Sequence, residues 1–221
     1  NPIYTRRGSQ FTLSAQFTPP YSLFSKKDYK SLYESSSRAD REELYRWIEY
    51  YKIKFKSRVY TPLNNSEKYT LVLMGRADFG LLGSYNKYKQ TPFETFHVGG
   101  AGMTGSYTYA TETIGLRGYD NGALTPYSDG RAYTRFSMEL HFPFLLQPSS
   151  TIYGLAFVEG GNAWTSLENF NPFSLKRSAG VGVRIFLPMI GLMGIDWAYG
   201  FDKVQGEKGG GHFHFILGQE F

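Results

Sequence analysis

The chain has 221 residues, 18% of them aromatic with 18 Tyr and 18 Phe, no Cys, and 24 Lys and Arg against 19 Asp and Glu for a net charge of +5. Mean hydropathy is −0.37, and no run of about eighteen apolar residues occurs, which excludes a spanning helix but not a membrane barrel built from alternating strands. The aromatic content argues against a disordered chain, the missing Cys removes disulfide frameworks and thiol chemistry, and so modest a charge without a binding module gives no nucleic-acid partner.

The sequence opens at Asn1 without Met and without a charged-then-apolar leader, as expected of a processed chain or a piece of a longer protein. Gln10 to Thr18 alternates Phe11, Leu13, Ala15 and Phe17 with Thr12, Ser14 and Gln16, the period of a strand. Ser37 to Tyr50 breaks that period. Its Leu44, Trp47, Ile48 and Tyr51 fall at helical spacing, and Ser37 with Asp40 resembles a capping box. A surface helix packing its stripe on a barrel rim is the expectation, with partner binding as the alternative.

Tyr51 to Tyr60 sets Ile53, Phe55 and Val59 against Lys52, Lys54, Lys56 and Arg58, a basic face that must meet water or acids. Tyr69 to Gly80 sets Leu71, Leu73, Ala77 and Phe79 against Thr70, Arg76 and Asp78. Arg131 to Pro143 places Phe136, Met138, Leu140 and Phe142 opposite Tyr133, Arg135, Ser137, Glu139 and His141. Thr151 to Gly160 is apolar on both faces, so its parity stays open. Ser178 to Leu187 opposes Val181, Val183 and Ile185 to Gly182 and Arg184. Met193 to Asp202 opposes Ile195, Trp197, Tyr199 and Phe201 to Gly194, Asp196, Ala198 and Gly200. Gly211 to Phe221 closes the series with Phe213, Phe215, Leu217 and Phe221 on one face, giving eight strands.

The connections alternate in length. Long polar segments (Pro19 to Tyr50, Leu81 to Gly130, Asn162 to Arg177, Lys203 to Gly210) follow the odd strands, and short turns near Asn64, Pro148 and Pro188 follow the even ones. An outer-membrane barrel sorts its loops in this way, with short turns on the periplasmic side and long loops outside.

Gly100 to Gly105 satisfies G-x-G-x-x-G, but the β-prone SYTYAT that follows is no helix, so no dinucleotide site is expected. His212 and His214 share one strand face. Two ligands without a third make no metal site, and polar residues on a hydrated wall are the expectation. No nucleophile elbow is present and no glycosidase carboxylate pair can be assigned, and no metal or cofactor is expected. The segment Leu116-Arg117-Gly118-Tyr119-Asp120 stands apart, presenting an Arg at a tight tip inside the longest loop. Glu139 and Glu159 lie on or near the polar faces of neighbouring strands, and a wall that keeps such acids needs a cation. A guanidinium bonds a carboxylate through two parallel contacts and could pin the loop to that wall.

The L-R-G-Y tip, the M-E-L strand, F-V-E-G-G-N-A-W and the final F-H-F-I-L-G-Q-E-F resemble the BamA family of outer-membrane assembly factors, as do Y-Y-K-I-K-F-K and P-F-E-T-F-H-V-G-G. The resemblance implies an all-β transmembrane antiparallel barrel in the bacterial outer membrane. Residues 1–221 would be the last eight of sixteen strands, with a small helix in an extracellular loop and the periplasmic domains absent. It implies that Arg117 pairs with Glu139 and Glu159 inside the lumen while Gly118 and Tyr119 shape the tip. It further implies that Phe213, Phe215, Leu217 and Phe221 form the terminal-strand signal beside a lateral gate, with Gly218 permitting a bend. The implied partners are unfolded outer-membrane β-barrel proteins, accessory proteins of the assembly complex, and outer-membrane lipids with lipopolysaccharide. The loop between Gly100 and Gly115 looks extended for that family.

The nearest alternative is a translocation-and-assembly module or polypeptide-secretion pore of the same superfamily. An autonomous eight-stranded enzyme or binder is another, and it requires the first and last strands to pair. A soluble lipocalin-like binder would not carry the Lys52 to Arg58 basic face.

Overall fold

The computed structural model describes residues 3–66, 68–102, 112–127, 129–147, 149–189, 191–206 and 209–218. Ten strands occur among them: β1 Gly8–Phe17, β2 Tyr51–Pro62, β3 Val72–Gly83, β4 Phe96–Val98, β5 Glu112–Ile114, β6 Ala132–Gln147, β7 Ser150–Trp164, β8 Lys176–Leu187, β9 Gly191–Gly200 and β10 Gly211–Leu217. Eight of these form one sheet in the order β1-β2-β3-β6-β7-β8-β9-β10, every neighbouring pair antiparallel. All eight expected strands are present. The third begins three residues late, because Asn64 and Ser66 hold the preceding turn: Asn64 accepts from the Leu71 N–H and donates to the Tyr69 carbonyl, and Ser66 accepts from the Tyr69 N–H.

Antiparallel order places all four long connections at one end of the sheet and the short turns at the other. The two faces invert the usual rule for soluble proteins. On the outer face Phe11, Leu13, Met138, Val158, Ile195 and Phe213 are each more than half exposed. On the inner face Lys52, Asp78, Arg135, Arg184, Asp196 and His214 are buried. Apolar outside and polar inside is the pattern of a strand wall facing lipid. It also settles the parity of β7, whose Thr151, Tyr153, Leu155, Phe157 and Glu159 point inward.

Residues 84–102 and 112–127 fold down over the inner face, and residues 3–7 cross its short-turn end. Two apolar clusters bracket the charged wall. One, near the long loops, joins Leu82, Phe96, Val98, Ile114, Leu116, Tyr119 and Tyr133. The other gathers Tyr4, Val72, Tyr153, Leu155, Phe157 and Ala198, with the Tyr4 hydroxyl donating to the Thr70 carbonyl at 2.7 Å.

The sheet is open: among the described residues β1 and β10 lie at its opposite edges and do not pair, in keeping with the expected half-barrel, which removes the autonomous eight-stranded alternative. Two expectations need correction. The helix expected over Ser37 to Tyr50 is present but shorter, α3 Arg38–Tyr45, and two short helices that were not foreseen precede it, α1 Tyr21–Phe24 and α2 Tyr29–Glu34. Helix α3 stops because Glu49 is drawn to Ser22, accepting its N–H at 2.8 Å and its hydroxyl at 2.5 Å, while Tyr50 already pairs with Thr18. Leu44 is buried but Trp47 is 56% exposed against Tyr21, so the predicted stripe does not form. Ser37 makes no capping bond. Finally, β4 and β5 were not foreseen; they form a small parallel pair inside the longest loop. Among the described residues no helix is long and apolar enough to cross a membrane.

Candidate functional site

The long loop is built to lower one short segment onto the wall. In β4 and β5, Phe96, Val98 and Ile114 turn inward to the first apolar cluster, and Leu116 continues it through a bridge with Gly100. The same side of the ribbon is charged where β5 begins, beside Phe96. Glu112 lies 3.3 Å from Lys52, 2.8 Å from Lys54 and 3.6 Å from Lys56, and Glu94 lies 3.3 Å from Lys52. Three lysines of the basic face of β2 therefore meet acids from the long loop that follows β3. Burial alone would raise the Glu112 carboxyl, but the Lys54 hydrogen bond and the charges of Lys52, Lys54 and Lys56 hold it below the usual range.

Beyond Leu116 the chain turns and Arg117 reaches the wall, fully enclosed. Its backbone N–H donates to Glu159 Oε2 at 2.9 Å, and its Nε and Nη2 donate to Glu159 Oε1 at 3.1 and 2.6 Å. Nη2 also meets Glu139, and Nη1 donates to Asp196 Oδ2 at 3.0 Å. The guanidinium carbon sits 3.5 Å from the centre of the Phe157 ring, an added cation–π contact. The acids are themselves tied. Arg135 and Ser137 donate to Glu159 at 3.3 and 3.1 Å, His141 contacts Glu139 at 2.8 Å, and Arg184 grips Asp196 at 2.5 and 2.8 Å. Three guanidinium groups thus face three carboxylates. That balance matters, because an uncompensated charge in so dry a place would cost several kcal/mol, about 3–5 by the usual measure of a broken buried pair.

Gly118 makes the turn with φ +87°, and a Cβ there would lie 2.8 Å from Ser178 Cβ and 3.0 Å from the Gly200 nitrogen. Only glycine satisfies both the dihedral and the clearance. The Gly118 N–H donates to His214 Nε2 at 2.9 Å, the Tyr119 hydroxyl donates to the Arg177 carbonyl at 2.6 Å, and Asp120 Oδ1 lies 3.1 Å from His212 Nδ1. Beneath the tip a cavity of about 90 Å³ is lined by Arg117, Arg135, Arg184, Glu139, His141 and Tyr153.

Of the five expected tip residues, Arg117 meets Glu139 and Glu159, Leu116 packs in the first apolar cluster, and Gly118, Tyr119 and Asp120 contact β8 and β10. Asp196 was not named as a partner, although its place on the polar face of β9 was readable; what sequence alone lacks is how far the tip reaches. His212 and His214 are not merely wetted wall residues, since both touch the tip. Phe213, Phe215 and Leu217 point outward and are exposed, away from the site. Gly218 ends β10 at φ +94° and donates to the Leu192 carbonyl at 2.8 Å. Phe221 lies outside the described residues, as does Gly105 of the glycine motif. Among the described residues no group of three or more His, Asp or Glu is arranged to hold a metal ion.

Comparison with known proteins bears on the family and the fold. The Omp85 superfamily domain matches residues 1–221. Among solved structures the chain is similar to BamA from Haemophilus ducreyi lacking POTRA domains 1–3, with 20% identity and a TM-score of 0.52. That match covers 76% of this chain and 35% of the other, so the chain spans about a third of the structure it resembles. The likeness is one of fold, while the domain match runs the full length: the chain belongs to the Omp85 superfamily.

Proposed function

We propose that residues 1–221 are the C-terminal eight strands of a sixteen-stranded barrel whose parent folds and inserts β-barrel proteins into the bacterial outer membrane, as a BamA-type assembly factor. The observation that supports this reading is the loop tip docked on the inner wall, where Arg117 bonds Glu139, Glu159 and Asp196 behind an apolar outer face. β10 pairs with β9 through Gly211–Leu217 and lies at the sheet edge on its other side. In a sixteen-stranded parent that side would meet the first strand, and where this seam opens it would offer N–H and C=O groups that template an incoming strand. The outward Phe213, Phe215 and Leu217 give that edge the alternation a client strand would continue. β1, at the opposite edge, would receive the preceding half of the barrel.

Strand templating makes and breaks only hydrogen bonds, so the reading assigns no catalytic residue. The docked tip supplies what such a machine requires near its gate, a rigid inner wall against which the last strand can be held or released. The partners that follow are unfolded outer-membrane proteins, accessory proteins of the assembly complex, and the lipids and lipopolysaccharide around the outer face. A translocation-and-assembly module or a secretion pore would share the same tip and wall. Depleting the parent separates these roles. Loss of many unrelated outer-membrane barrels at once supports the assembly reading, whereas loss of a single secreted substrate contradicts it.

A further inference from the structure

The last strand touches the loop tip through two histidines that assembly by strand templating does not require. His214 faces inward, opposite Asp196 of β9, and its Nε2 accepts the Gly118 N–H at 2.9 Å. His212 stacks on it with ring centroids 6.2 Å apart and contacts Asp120 at 3.1 Å. Among the described residues β10 pairs with β9 over Gly211–Leu217, and the tip adds the contacts of His212 and His214 to that ladder.

An imidazole can accept at Nε2 only while it is neutral, with its proton on Nδ1. Once protonated, Nε2 becomes a donor facing a donor, and the contact turns repulsive. The surroundings offer the cation little compensation. Asp196 on β9 has both oxygens engaged by Arg117 and Arg184, Glu159 on β7 is held by Arg117, Arg135 and Ser137, and Asp120 of the tip is turned to His212. Arg117 from the tip, Arg184 on β8 and His212 on β10 add positive or titratable charge. Protonating His212 would strengthen its pair with Asp120, the opposite sign, but the Asp120 side chain is 80% exposed and such pairs are weak.

We infer that His214 is a proton-sensitive latch: neutral, it fastens the last strand to the loop tip, and protonated, it lets go. The inference stands on this contact alone, independent of what the parent inserts. The test is hydrogen–deuterium exchange on the full-length parent in lipid nanodiscs, near pH 8 and near pH 5, corrected for intrinsic exchange. In the native protein, protection of 116–120 and 211–217 falls by about fivefold or more at the lower pH, the equivalent of one typical net hydrogen bond. His214→Gln keeps an acceptor that does not titrate, so its protection stays level across pH. His214→Phe is poorly protected at both values. His212→Asn retains the fall. Heat-modifiable gel mobility establishes that each variant has folded; should the Gln variant fail to fold, His214→Asn takes its place as a non-titrating acceptor. A native protein with no fall, an equal fall in the non-titrating variant, or its loss in His212→Asn overturns the latch.

Discussion

Reversing the charge of Arg117 strikes the candidate site where its energetics are most concentrated. In Arg117→Glu the three facing acids, Glu139, Glu159 and Asp196, lose their shared cation and gain a fourth carboxylate. The balance of three cations and three anions becomes two against four. Breaking a buried pair costs about 3–5 kcal/mol, which converts to a loss of about two to four decades in the docked population of the tip. The three acids are held differently, so their neutralisation should not be equal. Glu159 accepts from the Arg117 main chain and side chain, Arg135 and Ser137, whereas Glu139 meets only Arg117 and His141. Glu159→Gln should therefore weaken docking more than Glu139→Gln. Because Arg117 faces all three acids at once, pairing Arg117→Glu with Glu139→Arg should restore docking only in part. Limited proteolysis of the 112–127 segment in the folded parent reads the docked population. A charge-reversed tip as protected as the native one would refute the reasoning.

At Gly118, alanine must bear both an unfavourable φ and a Cβ 2.8 Å from Ser178 Cβ, whereas at Gly206, with φ +85°, nothing lies within 4 Å. Thermal unfolding should show Gly206→Ala costing about 1 kcal/mol and Gly118→Ala costing clearly more, about 2–3 kcal/mol. The Glu112 clasp should be insensitive to pH through the neutral range. Its folded carboxyl is held below the unfolded value, so its contribution is whole above about pH 4.3 and is lost as pH falls through the folded value. Exchange protection of 96–98 and 112–114 should follow that course in the native protein, and Glu112→Gln should abolish the change. On the outer face, Ile195→Arg should reduce barrel stability in lipid by about 2–4 kcal/mol if β9 crosses the bilayer near its middle, and scarcely at all in a water-exposed sheet. Urea titration in liposomes separates the two.

Strand existence and facing were legible because each side chain answers to one local rule, alternation, and both faces have strong and opposite demands. That is why Lys52, Asp196 and His214 could be placed on the polar side from sequence. What covers that side was not legible. Glu112 reaches Lys54 and Arg117 reaches Asp196 only through the small β4–β5 ribbon, whose three-residue strands are too short for any period to register. The helix over Ser37 to Tyr50 stops short for a related reason. Helical spacing from Leu44 to Tyr51 was real, but Glu49 gains more by satisfying Ser22 and Tyr51 by entering β2 than either would from another helical turn. Local pattern lost to tertiary hydrogen bonds.

The central claim is that the docked Arg117 tip and the β10 strand it touches belong to a machine that inserts β-barrels. It is tested most directly by reconstituting the full-length parent in proteoliposomes and following the folding of an added unfolded outer-membrane protein by heat-modifiable mobility. The expected result is faster client folding with the native parent, none with Arg117→Glu, and partial recovery with Arg117→Glu paired with Glu139→Arg. Client folding no faster than in empty liposomes, or undiminished by the charge reversal, would contradict it.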